Sequence, residues 1–257
     1  MNTYCFTTYA RRPDLVDGAL RLNGSVWPEF MFHDAVANRL WHRLAESFAD
    51  YQTMWIDAEE QVVAVGNTVP LVWNGASEHL PSGWDDAFER AVSDYDSDRV
   101  PTTLCALQAT VDRSLQGNGL SRMVLRGMRH RAVQAGLTAL IAPVRPTRKS
   151  QYPLTPMERY LRWAQPDGSP FDPWLRTHWR LGAQIVKVAE ASMLIESSID
   201  DWEEWTQLRF PETGHYIVPG ALNPIEIDAE ADRGRYIEPN VWMRHAVSAA
   251  DAVLQGG

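Results

Sequence analysis

Val111-Asp112-Arg113-Ser114-Leu115-Gln116-Gly117-Asn118-Gly119-Leu120-Ser121 joins two stretches of different periodicity. The apolar run Leu104 to Ala109 precedes it, and from Leu120 to Gln134 apolar residues recur at helical spacing, so its two glycines stand where a strand hands over to a helix. The first N–H groups of a helix lack an intrahelical acceptor and sit at the positive end of its dipole, so such a junction can hold an anion. Glycine, lacking a Cβ, lets a large ligand approach that backbone. Residues 111–131 also carry five arginines (Arg113, Arg122, Arg126, Arg129, Arg131) and one acid, in a chain of formal net charge -9. A basic patch in an acidic protein points to a specific anionic ligand, although Arg122, Arg126 and Arg129 share the spacing of a solvated helix face.

The 257 residues suit one large domain or two small ones, no linker marks a division, and 45% hydrophobic with 22% charged residues is ordinary for a soluble globular protein. Overall acidity argues against general nucleic-acid binding. The two cysteines, Cys5 and Cys105, lie far apart in apparent strands with no Cys/His cluster, which predicts reduced thiols and no metal site. A basic-then-apolar leader and a run of transmembrane length are both missing, so the expected location is cytoplasmic, with no membrane partner. The eleven tryptophans are expected in the core or in pocket walls.

Along the chain, Thr3 to Tyr9 reads as a strand, Pro13 to Leu22 as a short helix and His33 to Phe48 as an amphipathic helix. Tyr51–Ile56 and Gln61–Trp73 read as a hairpin, Trp84–Asp94 as an inserted helix and Thr102–Val111 as a strand. After the Gly-rich turn and its helix come a strand at Thr138–Val144 and a long segment, Arg145 to Pro173, with six prolines. The helix-like piece Met157–Trp163 predicts that this segment is an ordered lid. A helix at Pro173–Leu181, a strand at Ala183–Ile195, and a helix at Asp200–Leu208 capped by Asp200 or Asp201 follow. Short strands and a tail complete the reading.

The spacing Gln116-x-x-Gly119-x-Ser121 resembles motif A of the GNAT superfamily of acyl-CoA N-acyltransferases, with Ser121 in place of the usual last Gly or Ala. Element order matches that fold over roughly the first two-thirds of the chain, apart from the inserted helix. The resemblance implies an α+β fold: a mixed, mostly antiparallel central sheet flanked by helices, in one domain spanning 1–257. A long insertion at about 145–173 and a C-terminal extension at about 197–257 would be added to it. It further implies acetyl-CoA or another acyl-CoA as co-substrate, its pyrophosphate held at Gln116, Gly117, Asn118, Gly119, Leu120 and Ser121. Main-chain atoms of Ala109 and Val111 would pair with the pantetheine arm, and an N–H near Ala109 would face the acyl oxygen.

Where many members carry a glutamate on the central strand, this chain has Cys105; where the family has its acid tyrosine, four residues before a glycine, it has His178, and the family's asparagine is Phe171. The resemblance thus makes His178 the candidate acid, against the plainer reading of a histidine packed beside Trp174 and Trp179. Glu29 and His33 in the helix–helix linker, Tyr152 in the long segment and Glu196 at a strand end are further titratable candidates. The implied activity is acyl transfer, most simply acetyl transfer, to a small-molecule amine acceptor, with a homodimer left open. Two alternatives stand beside it: a CoA-binding protein without catalysis, suggested by the missing glutamate and tyrosine, and an enzyme using a longer acyl or aminoacyl donor.

Overall fold

The computed structural model describes residues 4–254. Thr3, placed at the start of the first strand by the sequence, lies outside the described residues. In chain order the strands are β1 (Cys5–Thr8), β2 (Thr53–Ile56), β3 (Val62–Leu71), β4 (Thr103–Val111), β5 (Ala139–Val144), β6 (Gln184–Ser197), β7 (Gly214–Tyr216), β8 (Ile225–Asp228) and β9 (Arg233–Ala246). The α-helices are α1 (Val16–Asn23), α2 (Ala35–Leu40), α3 (Arg43–Glu46), α4 (Trp84–Asp96), α5 (Leu120–Gln134), α6 (Met157–Tyr160), α7 (Pro173–Arg180) and α8 (Ile199–Thr206).

All nine strands form one sheet in the order β1-β2-β3-β4-β5-β9-β8-β7, with β6 paired to β9. Every pairing is antiparallel except β4 with β5. The architecture is the mixed α+β arrangement expected from the sequence.

Helices cover both faces. On one, Leu120, Val124, Leu125, Met128 and Ala132 of α5 pack with Leu104, Ala106, Leu140 and Ala142 of β4 and β5. Gly127 lets α5 come close to β1, since a Cβ there would stand 2.9 Å from the Phe6 ring. On the other face, Trp84, Ala87, Phe88 and Ala91 of α4 meet Cys105, Leu107, Ile141 and Trp242. Burying each large apolar side chain is worth about 1.5–3 kcal/mol, so these two layers hold the sheet from both sides.

Three elements depart from the sequence reading. The single helix expected at 33–48 breaks after Leu40 into α2 and α3. Leu44 and Ala45 donate to Trp41 and His42 in tighter i→i+3 bonds, while the Trp41 ring packs near Trp84 and Phe88. The N-cap of α8 is Ser198, whose side chain accepts from the Asp201 N–H, rather than Asp200 or Asp201. Near the C-terminus, where the sequence reads only as short strands and a tail, β9 is a 14-residue strand that runs between β5 and β6 and pairs with both.

The proline-rich segment 145–173 is ordered by internal bonds. Buried Lys149 donates its Nζ to the carbonyls of Tyr152 and Leu222, at 3.0 and 2.6 Å. Asp172 caps α7 and also accepts from the Arg148 N–H and the Tyr160 hydroxyl. Tyr152, Tyr160, Trp163 and Phe171 make a cluster of ring contacts, mostly edge-on or tilted.

Candidate active site

β4 and β5 part early. Their pairing covers only Thr103–Cys105 against Ala139–Ile141, and from Ala106 onward β4 leaves its parallel neighbour. On the β3 side the register shifts between Asn67, opposite Gln108, and Thr68, opposite Ala106, so Leu107 is a bulge. The Asp112 N–H donates to the Val63 carbonyl at 2.9 Å. Antiparallel alternation then directs the main-chain groups of Gln108 and Thr110 toward β3 and those of Ala109 and Val111 toward the opening left by β5. An extended, amide-bearing molecule can add there as a further strand.

The Gly-rich turn stands at the same end of the sheet. Gly117 and Gly119 have φ of 84° and 85°, and Gly119 is the N-cap of α5. This left-handed region favours glycine and turns the following amides outward. Among the described residues, the N–H groups of Gly117, Gly119, Leu120 and Ser121 have no acceptor. The five arginines divide by contact. Arg129 is committed to the Leu181 carbonyl and to Asp251, and Arg131 lies over the Tyr51 ring at 5.2 Å. Arg113, Arg122 and Arg126 are exposed, with no acid partner among the described residues. The turn therefore offers amides, helix dipole and exposed guanidinium groups together to an anion.

The opposite face carries a polar cluster at the same opening. Arg145 directly follows β5, and its guanidinium bonds Glu238 of β9 at 2.8 Å and the Gly220 carbonyl at 2.6 Å. Glu238, 1% exposed, also accepts from Tyr236 and Asn240. Asn240 accepts from Ser192, and the Ser192 hydroxyl accepts from the Trp84 N–H. The Trp84 indole reaches the bulge itself, donating to the Leu107 carbonyl at 2.8 Å. Beside this chain lie Asp34, the N-cap of α2, and Asp85 in the first turn of α4. Burial and the neighbouring Asp34 push the Asp85 carboxyl up to about 8; burial also raises that of Asp34.

The three catalytic candidates from the sequence are scattered. His178 points inward from α7: it is 1% exposed, with Nδ1 2.9 Å from Nε2 of His245 and its ring edge against Trp174. Burial and His245 hold it well below the usual histidine range. A neutral imidazole keeps one N–H but is too weak an acid to protonate a departing thiolate, and this ring faces the core, so the acid role expected from the resemblance does not carry over to it. Glu29 is exposed beside His33, and His33 stacks on Trp205 at 3.9 Å. Tyr152 lies on the segment that leaves β5, partly buried against the α5-side core. Glu196 is 3.7 Å from Arg235. Cys105 occupies the last paired rung before the opening; burial raises its thiol, so it is a small buried hydrophobe. Asp34, Asp85 and Glu238 were not among the sequence candidates. Their local signals, an N-cap, a first-turn acid and an acid in a strand, each had a structural explanation.

No family model matches the chain. Arginine N-acetyltransferase avaD of Aspergillus versicolor is 34% identical over a 274-residue alignment covering 95% of this chain and 94% of that protein. The loading GNATL domain of CurA from Lyngbya majuscula matches with a TM-score of 0.62 at 16% identity, covering 96% of this chain and 98% of that one. The GphF GNAT-like decarboxylase in complex with isobutyryl-CoA matches with a TM-score of 0.58 at 15% identity, over 95% and 100% of the two chains. The two structural likenesses, at such low identity, speak for the fold alone.

Proposed function

As a member of the GNAT superfamily of acyl-CoA N-acyltransferases, to which it belongs, the chain is an acyltransferase, and we propose that it transfers an acetyl group from acetyl-CoA to arginine or a close guanidinium-bearing relative. The observation that carries the choice of acceptor is the 34% identity, over 95% of this chain, to an arginine N-acetyltransferase. The donor side is supported by the unpaired end of β4 and the open amides beside it.

In this reading the turn Gln116 to Ser121 holds the pyrophosphate, with Arg113 and Arg122 flanking it. Ala109 and Val111 pair with the pantetheine arm, which brings the thioester to the bulge at Leu107. An N–H near Ala109 then donates to the carbonyl oxygen as charge grows on it. The acceptor nitrogen bonds the carbonyl carbon and the carbon–sulfur bond breaks. One amine proton leaves to a base, and the sulfur takes a proton, for which Tyr152 is the candidate donor. Arginine and acetyl-CoA are both cytoplasmic metabolites, and the two free thiols, exposed Cys5 and buried Cys105, suit that reducing compartment.

A thiol-release assay with acetyl-CoA and longer acyl-CoAs, each against arginine, agmatine, ornithine and glycine, tests the assignment. Turnover should be fastest for acetyl-CoA with a guanidinium-bearing amine. Equal turnover with glycine, or preference for a long acyl chain, would reject it.

A further inference from the structure

We propose that the carboxyl pair Asp34–Asp85, backed by Glu238, is the seat of the acceptor's cationic group. Its meaning for catalysis rests on the acyltransferase reading above, whereas the claim that a cation binds there stands on geometry. The three acids come from different parts of the chain, the N-cap of α2, the first turn of α4 and the middle of β9, yet they share the sheet face opposite α5. They also share the end where β4 and β5 part. Trp84, the residue before Asp85, bonds the bulge carbonyl of Leu107, and Arg145, the residue after β5, bonds Glu238. A donor entering from the α5 side and an acceptor held here would meet at the opening.

Two buried oxygens call for a partner. Asp34 is 0% exposed; its Oδ1 accepts from the Ala37 N–H at 2.7 Å, and its Oδ2 has no N–H donor. Asp85 accepts from the Leu194 N–H through Oδ2 at 3.1 Å, and its buried Oδ1 likewise has none. The two carboxyls act on each other, and the charge of Asp34 together with burial helps keep a proton on Asp85. Asp85 is only partly buried, so the pair runs from the surface to the interior.

The charges around the pair favour a cation. Facing the pair are Glu89 of α4, itself bonded to Arg39 at the surface, and Glu238 of β9, whose own partners are Tyr236 and Arg145. The Arg145 guanidinium is already engaged by Glu238 and the Gly220 carbonyl and lies 5.7 Å from the centre of the Trp27 ring. A second guanidinium or ammonium reaching the open oxygens of Asp34 and Asp85 would replace the proton held at Asp85, which passes to solvent, and leave both carboxylates ionised and paired. Guanidinium suits the site well, because its planar fork of N–H groups matches carboxylate oxygens.

Calorimetry on the full chain at pH 7, in two buffers of different ionisation enthalpy, tests this with arginine, its uncharged isostere citrulline, and CoA. Wild type should bind arginine with release of about one proton and bind citrulline at least about tenfold more weakly. Asp34→Asn and Asp85→Asn keep an oxygen for the Ala37 and Leu194 N–H groups, so both should stay folded by circular dichroism. They should lose about thirtyfold or more in arginine affinity, release no proton, and bind CoA as wild type does. Arginine bound equally by wild type and both variants, or bound by wild type without proton release, overturns the seat and leaves the acceptor assignment standing. If wild type binds no cationic amine, both fall.

Discussion

Asp85→Asn should make the protein more stable at pH 7 and leave it unchanged near pH 4. The Asp85 carboxyl is pushed up to about 8, against 3.8 in the unfolded chain, first by burial and then by the charge of Asp34. Between those two values the unfolded state has released its proton while the native state keeps it. The native state therefore binds more protons, and stability falls as pH rises, by about 1.4 kcal/mol per unit. At pH 7 the full linkage comes to about 4 kcal/mol, and sharing with Asp34 together with partial solvent access reduces the expected effect to about 1–3 kcal/mol. Asparagine keeps an oxygen for the Leu194 N–H and has no carboxyl proton to hold. Urea unfolding of both proteins at pH 4.5, 6, 7 and 8 measures the difference. A gap that opens steadily above pH 4.5 agrees with this account. A gap independent of pH, or a variant less stable throughout, would refute it. A stabilising substitution that costs acceptor binding is the behaviour expected of a functional group held at the expense of stability.

Other substitutions separate binding from chemistry. Gly119→Val places a β-branched residue at φ 85°, at about 1–2 kcal/mol in backbone strain, and crowds the amides of the turn; titration calorimetry should show CoA affinity at least about tenfold weaker. Tyr152→Phe should lower kcat by about a hundredfold with CoA affinity unchanged, and an unaltered kcat would remove the tyrosine as proton donor. His178→Gln should cost about 1–3 kcal/mol of stability and leave kcat within about threefold of wild type, because the ring is a neutral core group. Its pKa is lowered by folding, so it opposes folding as pH falls below about 6.5; between pH 7 and pH 5 the variant should lose less melting temperature than wild type.

Local signals carried much of the fold. The helix Leu120–Gln134 and the glycine turn before it are written in one continuous stretch, and α5 has those bounds. β9 was harder to see, because Gly234, Pro239 and Asn240 interrupt its apolar pattern; it is a strand because β5 and β6 pair with it from distant parts of the chain. The helix read at 33–48 had the right periodicity, but packing of Trp41 near Trp84 decides where it breaks. His178 was found by its spacing from Gly182, while the direction of its ring depends on His245, 67 residues away. Asp34 and Asp85 lie 51 positions apart, so nothing local in either neighbourhood revealed that their carboxyls meet.

Mass spectrometry of the products from acetyl-CoA and arginine, with free thiol counted in the same reaction, tests the central claim most directly. Acetylated arginine should appear in one-to-one proportion with CoA, and the yield should fall sharply in Asp85→Asn while CoA still binds. Thiol release no faster than spontaneous hydrolysis, with no acetylated arginine at any enzyme concentration, would contradict the account.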